Sequence, residues 1–515
     1  MKNHFIYACV ALTLIAYNCK KSNTEKVVSS TSIQAVKMPS ILASGNSFPI
    51  DSTELNSWIE NSLVVNNLET NGDIITHGWD IWTALTDRTN QQYNGQTLRR
   101  FETWYTPEDI KTALRNQSSN SNYKLEDLGR ANQGFLEIPN QNLHDPEVNG
   151  SDVVGFVKYD PTAANHIYNN ELYYFEVLKA MIKKGEISNI PPFPSPSIAI
   201  KPVFYPLTNI DSLKPGKYSL PAWPGYQNQI SMDSVIAGGF GPNKWNNNIT
   251  ITTTGETDAA NKVFSINDFI HFKLDEKQAT QIINVIDNGK AKAGDYAVLV
   301  GMHVNTRENR RWTWQTFWWS ENPDTPQSPS SKLIADLRPK SLDRAAKHYA
   351  MGVAYNMISP TQPYAKGTNA VTTGEPIKQS IYAYNPHLEA GFSAAVFDDT
   401  PSPATEKTRQ NSGGNDTIRK YYSEGYQKIG AKLTKKGYRG GKLNRVGIET
   451  NCMSCHGQAR IYNVSRKEDA FQYYITDQYF DLNAPYFNNT IVLDFVWSIQ
   501  GNLIDKEKED KVNKY

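Results

Sequence analysis

The fold is decided by residues 296–319, which read YAVLVGMHVNTRENRRWTWQTFWW. The first part, Tyr296 to Val304, is apolar on both faces of a strand, which is typical of the centre of a sheet. Residues 306–309 form a polar turn. Residues 311–319 then alternate, so that Trp312, Trp314, Thr316 and Trp318 share one face. The stretch therefore predicts an antiparallel hairpin between two neighbouring strands.

The regions around the hairpin predict an α+β protein with two domains. A mixed, aromatic-rich domain covers residues 46–325, and a Pro/Ser-rich linker at 321–330 separates it from a mainly helical domain at 331–515. A helix is expected to begin at Thr106-Pro107. Further expected elements are a long helix from Asp160-Pro161 to Lys184, a strand at the edge of the sheet over 198–204, and helices over 341–357 and 490–500.

The predicted C-terminal domain contains the motif Asn451-Cys-Met-Ser-Cys-His-Gly457. The spacing C-x-x-C-H is that of covalent c-type haem attachment. In this interpretation Cys452 and Cys455 form thioethers with one haem, and His456 is the proximal ligand of its iron. A zinc knuckle, a redox dithiol and a chance occurrence are weaker interpretations. Zinc needs four ligands, and the chain after the N-terminal signal described below has no second cysteine pair. A thioredoxin-like dithiol is expected beside a βαβ unit, and nothing in the sequence indicates one.

The N-terminus predicts export. Residues 1–18 combine Lys2 with a short apolar run, which is typical of a signal peptide. The run stops at Cys19, and this resembles a bacterial lipoprotein signal in which Cys19 receives lipid. Residues 19–45 would then be a flexible tether, and the protein would be membrane-anchored in the periplasm or at the cell surface. An ordinary cleaved secretory signal is the alternative.

The composition excludes some classes of partner. The formal charge of the 515 residues is +1, and loss of residues 1–18 removes Lys2, which leaves 0. A neutral chain gives no reason to expect nucleic acid binding. Of the four cysteines, Cys9 leaves with the signal, Cys19 takes lipid and two take haem, so no disulfide remains. No later apolar run reaches the length of a membrane span.

Residues 457–515 contain neither Met nor His, so either the second axial ligand comes from upstream of the motif or the iron has an open side. We rank His303 first, since it shares the less apolar face of its strand with Gly301 and Asn305, and Met351 second. A buried structural histidine is an equally good interpretation of His303. The candidates considered are Met302, His303, His348, Met351, Met357, His77 and His387.

Seven segments follow one another in a recognisable order: Trp79–Trp82, Lys158–Asp160, Ile198–Phe204, Gly301–Val304, Trp312–Phe317, the C-x-x-C-H motif and Asp494–Trp497. This order resembles a group of largely uncharacterised bacterial exported proteins of cytochrome c type with one C-terminal haem motif. The resemblance implies haem c binding and electron transfer, and it implies no substrate.

Three functions follow from these patterns. The first is a membrane-tethered monohaem cytochrome that passes electrons to a redox partner that the sequence does not identify. The second is a haem oxidoreductase, peroxidase-like, with an open distal side where His303 and Arg310 or Arg311 would act. It is suggested by the roughly 400 residues before the motif, far more than a small electron carrier needs. The third is a ligand-binding module with an attached haem, whose Trp residues stack on sugars.

Overall fold

The computed structural model describes residues 32–65, 68–130, 153–208, 211–225, 240–285, 291–327, 329–355, 384–391, 452–462 and 487–506. The α-helices are α1 (Ser52–Val65), α2 (Leu68–Thr86), α3 (Pro107–Ser119), α4 (Pro161–Asn169), α5 (Phe175–Met181), α6 (Glu276–Val285), α7 (Lys332–Asp336) and α8 (Cys452–His456). The strands are β1 (Arg88–Tyr93), β2 (Gln96–Arg99), β3 (Val154–Gly155), β4 (Lys158–Tyr159), β5 (Ile187–Asn189), β6 (Ile198–Leu207), β7 (Ser212–Lys214), β8 (Lys217–Pro221), β9 (Asn248–Thr252), β10 (Val263–Ser265), β11 (His271–Lys273), β12 (Tyr296–Thr306), β13 (Thr313–Trp319), β14 (Tyr349–Val353), β15 (Arg460–Tyr462) and β16 (Thr490–Val492).

The strand β12 lies at the centre of a sheet to which seven described strands belong. It pairs antiparallel with β13 on one side and with β6 on the other. The order is β14-β13-β12-β6-β3, with β11 also beside β12 and β4 also beside β6. The predicted central hairpin is therefore confirmed, and the described chain is a mixture of helices and sheets.

One face of this sheet packs against α2 and holds the main aromatic core. The ring of Trp82 stacks on Phe317 with centroids 4.3 Å apart. The backbone approaches closely at Gly78, where a Cβ would lie 2.8 Å from the sulfur of Met351. Trp79, Trp82 and Trp104 are all fully buried. These tryptophans pack the interior, so they do not form the exposed sugar-stacking platform that the sequence allowed.

The other face of the sheet belongs to a second core that joins distant parts of the chain. It contains Trp314 of β13, Ile167 of α4, Met453 of α8 and Ile491 of β16. The strand β16 pairs parallel with β5 and antiparallel with β15. This core places α8, which carries the C-x-x-C-H motif, next to the central sheet.

The long helix predicted from Asp160 to Lys184 is wrong in its length. Asp160 caps α4 by accepting hydrogen bonds from the N–H groups of Thr162 and Ala163, as expected from Asp-Pro. The helix ends at Asn169, and α5 begins only at Phe175. Leu172, Tyr173 and Tyr174 are all buried in the second core. Glu171, directly before them, has a positive φ of 51°, a left-handed conformation that ends a helix and turns the chain.

The strand β6 is central, although its prolines indicated an edge. It lies between β12 and the short strands β3 and β4. The carbonyl of Pro202 accepts from the N–H of Phe156, between those two strands. In an antiparallel sheet the N–H and C=O of one residue point to the same neighbour. The N–H that Pro202 lacks would therefore face the break between β3 and β4, where no ladder bond is lost.

Two predicted C-terminal helices are also wrong. Residues 349–353 form β14, which pairs with β13, and only Ala346–His348 before it is a short 3₁₀ turn. Residues 490–492 form β16, and a 3₁₀ helix follows at Trp497–Asn502. Both runs are buried almost without a break, and such short apolar runs suit a buried strand as well as a helix. The described residues do not show a mainly helical C-terminal domain.

Part of the predicted tether is described, and it lies against the body. Ile33 and Leu42 are buried, and the backbone carbonyl of Val36 accepts a hydrogen bond from the indole of Trp104 at 2.8 Å. The contacts with the body therefore begin before residue 46. The signal peptide and Cys19 lie outside the described residues. Among the described helices, none combines the length and the apolar character that a membrane crossing requires.

Candidate functional site

Residues Cys452–His456 of the C-x-x-C-H motif form the short helix α8, which packs against the second core. Met453 is buried and anchors α8, and the N–H of Gly457 donates to its carbonyl at 2.9 Å. Cys452 is partly exposed. Cys452 and His456 are four residues apart and so lie on one side of the helix, while the backbone of Cys455 belongs to the same turn.

The imidazole of His456 has two different nitrogens. Its Nδ1 lies 2.9 Å from the carbonyl oxygen of Phe495, which can only accept, so Nδ1 carries the proton. Its Nε2 therefore has a lone pair, and it makes no hydrogen bond with the described residues. Burial lowers the pKa of His456 to about 4, which keeps the ring neutral at pH 7. The ring packs on Trp314 with centroids 4.5 Å apart.

The Phe495 carbonyl is held by a strained loop. Asp494 and Phe495 have positive φ values of 45° and 71°. Each such residue costs on the order of 1–3 kcal/mol, so the surrounding contacts must hold it. The carboxylate of Asp494 accepts from the N–H of Phe193 at 2.9 Å and from the Arg307 guanidinium at 3.1 Å. These bonds fix the direction of the carbonyl that orients His456.

A polar pair stands near His456 on the same face of the sheet. His303 is opposite Thr316 in the ladder, and Trp314 lies two residues further along β13 on that face. The Nε2 atom of His303 is 2.9 Å from Oε1 of Glu389, and the two side chains are 18% and 19% exposed. After burial and the Phe495 bond, the electrostatic effect of the nearby His303 is the next influence on the pKa of His456, which it lowers. The two histidines are thus within electrostatic reach of one another.

The carboxylate of Glu389 is positioned by Asn385. The backbone N–H of Asn385 donates to Glu389 Oε2 at 2.5 Å, and its side-chain amide donates to the hydroxyl of Thr316 and the carbonyl of Phe317 at 3.0 and 2.8 Å. This close contact requires glycine at 301, where a Cβ would lie 2.7 Å from the Asn385 amide. Burial raises the pKa of Glu389, but His303, Asn385 and a neighbouring lysine outweigh it, so the pKa is lowered and the carboxylate stays ionised.

The other predicted ligands that the structure describes lie elsewhere. Met302 and Met351 are fully buried on the opposite face of the sheet, towards α2. His77 is buried against Tyr355 and Glu308. His348 stacks on Trp319, and His387 packs against Trp245. Met357 lies outside the described residues. Of the described candidates, the structure brings His303 alone to His456.

The predicted distal arginines lie in the turn of the hairpin, past its last ladder pair. The last ladder pair is Thr306 with Thr313, and Arg310 and Arg311 follow in the turn. At about 3.3 Å per residue, the backbone of Thr306 is roughly 10 Å along the strand from His303. His303 and these two arginines are therefore not neighbours in the strand ladder, although the predicted peroxidase-like arrangement would suggest that they are.

A separate cavity of about 480 Å³ lies on another part of the surface. Its walls include Arg88, Arg99, His271, Asp343 and Arg344. The guanidinium of Arg99 is 2.7 Å from Asp343, so cations and acids are paired there. The residues that line this cavity are not those around His456.

Three parts of the site were missed in the sequence: Glu389, the Phe495 carbonyl and the pair Arg307–Asp494. Glu389 lies in a turn-rich stretch without a motif, and a backbone carbonyl has no sequence signature. The segment Asp494–Trp497 is part of the resemblance described above, and this was the one available signal.

The described residues were also compared with the side-chain clusters that usually hold a metal ion. The described ranges contain no group of three or more His, Cys, Asp or Glu that could hold a metal ion. Haem iron takes four nitrogens from the porphyrin and needs only one or two protein ligands, so that result does not bear on it.

No protein-family model, curated protein or solved structure matches this chain.

Proposed function

We propose that this protein is an exported monohaem c-type cytochrome that transfers electrons. Cys452 and Cys455 would attach the haem, and His456 would be the proximal iron ligand. The observation that carries the proposal is the geometry of His456: its Nδ1 bonds to the Phe495 carbonyl at 2.9 Å, which in the neutral ring leaves the Nε2 lone pair for the iron. A histidine that binds a metal typically donates its other N–H to such an acceptor.

The residues around His456 fit a haem. A bound haem would supply an iron that alternates between the ferrous and ferric states. The chain itself would hold the imidazole in one tautomer, through Phe495, and would pack one side of it with Trp314. The partial exposure of Cys452 and His456 would leave one edge of the site near the surface, where a redox partner could approach.

The proposal includes export and a membrane anchor. Residues 1–18 would be removed and Cys19 would carry lipid, which places the protein in the periplasm or at the cell surface. These features rest on the sequence, since the segment lies outside the described residues. The mainly helical character of residues 331–515 and the division into two domains likewise stay predictions.

A haem oxidoreductase with an open distal side is the second candidate. It is favoured by the partly exposed pair of His303 and Glu389 near His456, because a hydrogen-bonded acid and base could move protons there. Arg310 and Arg311, which a peroxidase would use with His303, lie in the turn past the last ladder pair, Thr306 with Thr313.

The test is the covalent attachment itself. The full-length protein would be produced in a bacterium that matures c-type cytochromes, denatured, and examined by haem stain and mass spectrometry. We expect haem colour at the protein band and a mass that exceeds the polypeptide by one haem. The double variant Cys452→Ala, Cys455→Ala should lose both signals, whereas Cys9→Ala, a change in the predicted signal peptide, should keep them. A wild-type mass equal to the bare processed polypeptide would contradict the proposal.

A further inference from the structure

The two histidines of the site have matching hydrogen-bond patterns. His456 bonds through Nδ1 to a backbone carbonyl, and His303 bonds through Nε2 to the Glu389 carboxylate at 2.9 Å. The remaining nitrogen of each ring makes no hydrogen bond with the described residues. Each imidazole is therefore held at one nitrogen and available at the other.

This pattern is the one expected of metal-ligating histidines. Such a histidine usually donates its second N–H to a carboxylate or a carbonyl, which fixes the ring and raises its basicity. Either ring nitrogen can be the ligand. In His303 the available nitrogen is Nδ1, and in His456 it is Nε2. Glu389 Oε1 lies 2.9 Å from His303 Nε2, and Glu389 Oε2 already accepts from the backbone N–H of Asn385, so the carboxylate is placed to accept the N–H of His303 at Nε2.

The placement of His303 agrees with this role. It lies on the sheet face against which His456 packs, and Trp314, which contacts His456, is a diagonal neighbour of His303 across the ladder. The backbone N–H of Asn385 donates to the Glu389 carboxylate, and the Asn385 side chain lies against Gly301, two residues from His303. The carboxylate is thus fixed by backbone and amide bonds, as a partner that sets a ligand's orientation should be.

We propose that His303 is the second axial ligand of the haem iron, and that Glu389 is the residue that positions it. The inference rests on the proposed function, because it needs the haem. It adds that the iron is bound by two histidines, which would fill the open side that an oxidoreductase requires. Strong donation from a carboxylate-bonded imidazole would favour the ferric state and lower the reduction potential.

The first experiment compares the haem-loaded full chain with His303→Ala by absorption and electron paramagnetic resonance spectroscopy of the ferric form. We expect a low-spin, six-coordinate spectrum for the wild type and a high-spin spectrum for the variant. Added imidazole should restore the low-spin spectrum of the variant, which would show that the site has kept its fold. His271→Ala is the matched control, because His271 is also a partly exposed histidine of this sheet with Nδ1 bonded to a carbonyl.

The second variant, Glu389→Gln, tests the positioning role. The amide keeps an oxygen that can accept the His303 proton but loses the charge. We therefore expect the spectrum to stay low-spin and the reduction potential to rise relative to wild type and to His271→Ala. An unchanged potential would remove Glu389 from the proposal.

Two results would overturn the role of His303. One is a high-spin wild-type spectrum that changes readily with cyanide, which would favour the oxidoreductase. The other is a low-spin spectrum that survives His303→Ala unchanged. The alkaline pyridine spectrum of the denatured protein separates this failure from failure of the proposed function, because it reports attached haem c whatever the second ligand is.

Discussion

At the scale of single residues, the orientation of His456 depends on the loop that follows β16. Asp494 and Phe495 adopt left-handed conformations that non-glycine residues rarely occupy. The energy for this comes from the Asp494 carboxylate, which joins the loop to Phe193 and to Arg307. The hydrogen bonds of Asp494 therefore hold the loop in which the Phe495 carbonyl faces His456.

The first prediction concerns Asp494. Asp494→Ala should lower the free energy of unfolding by about 1–3 kcal/mol, because two donors in a mostly buried place lose their acceptor. Asp494→Asn should cost less, since asparagine tolerates the left-handed conformation and retains an acceptor oxygen. The measurement is urea unfolding followed by tryptophan fluorescence.

The control for Asp494 is Asp336→Ala. Asp336 pairs with Lys332 one helical turn away, and both side chains are more than half exposed. Such pairs contribute about 0.3–0.5 kcal/mol. Equal losses for Asp336→Ala and Asp494→Ala would refute the role given to the loop.

At the scale of elements, the start of α4 combines a helix cap with a tie to the central sheet. The carboxylate of Asp160 accepts from Thr162 and Ala163 in the helix and from the N–H of Ile198 in β6. Burial nevertheless raises its pKa from 3.8 to about 6, since desolvation outweighs the hydrogen bonds. The folded protein therefore binds a proton at Asp160 more tightly than the unfolded chain does.

The second prediction follows from this difference. A raised carboxyl pKa contributes stability that is complete below about 3.8 and is lost as the pH rises through about 6. At about 1.36 kcal/mol per pKa unit, the loss is up to about 3 kcal/mol. The difference in unfolding free energy between wild type and Asp160→Asn should fall from pH 4 to pH 7. A difference that is flat across this range, or that rises, would contradict the assignment.

At the scale of the whole molecule, the second core connects segments that are far apart in the sequence. Met453 of α8 packs in the same cluster as Ile167 and Tyr173, and β16 pairs in parallel with the short strand β5. The helix that carries the C-x-x-C-H motif therefore packs on residues from the first part of the chain. A substitution in α8 should therefore lower the free energy of unfolding, in addition to any effect on the proposed haem attachment.

The third prediction tests this connection. Met453→Ala should lower the free energy of unfolding by about 2–5 kcal/mol, because a fully buried methionine leaves a cavity. Met38→Ala is the matched control, since Met38 is only partly buried at the border of the first core and should cost clearly less. Thermal unfolding of the haem-free double cysteine variant would measure both changes without a contribution from the haem. A loss no larger than that of Met38→Ala would show that α8 is not part of the core.

Several features of the protein follow from local sequence alone. The alternation after Arg311 and the doubly apolar run before Thr306 determined the hairpin, because the side-chain period of a strand is set by the backbone. Thr106-Pro107 and Asp160-Pro161 determined two helix starts, since a cap and a proline act within one turn. The spacing of Cys452, Cys455 and His456 was readable for the same reason: it is a property of a single helical turn.

Only the tertiary structure decided which distant groups meet. Residues 349–353 form a strand because they pair with the backbone N–H and C=O groups at the edge of β13. No local sequence pattern shows that this edge is available for pairing. Pro202 lies in a central strand because a neighbouring strand breaks opposite it. Glu389 reaches His303, and Phe495 reaches His456, through contacts between residues separated by 86 and 39 positions. Such contacts depend on how the elements pack, which is a sum over many weak interactions and is not written in any one stretch of the chain.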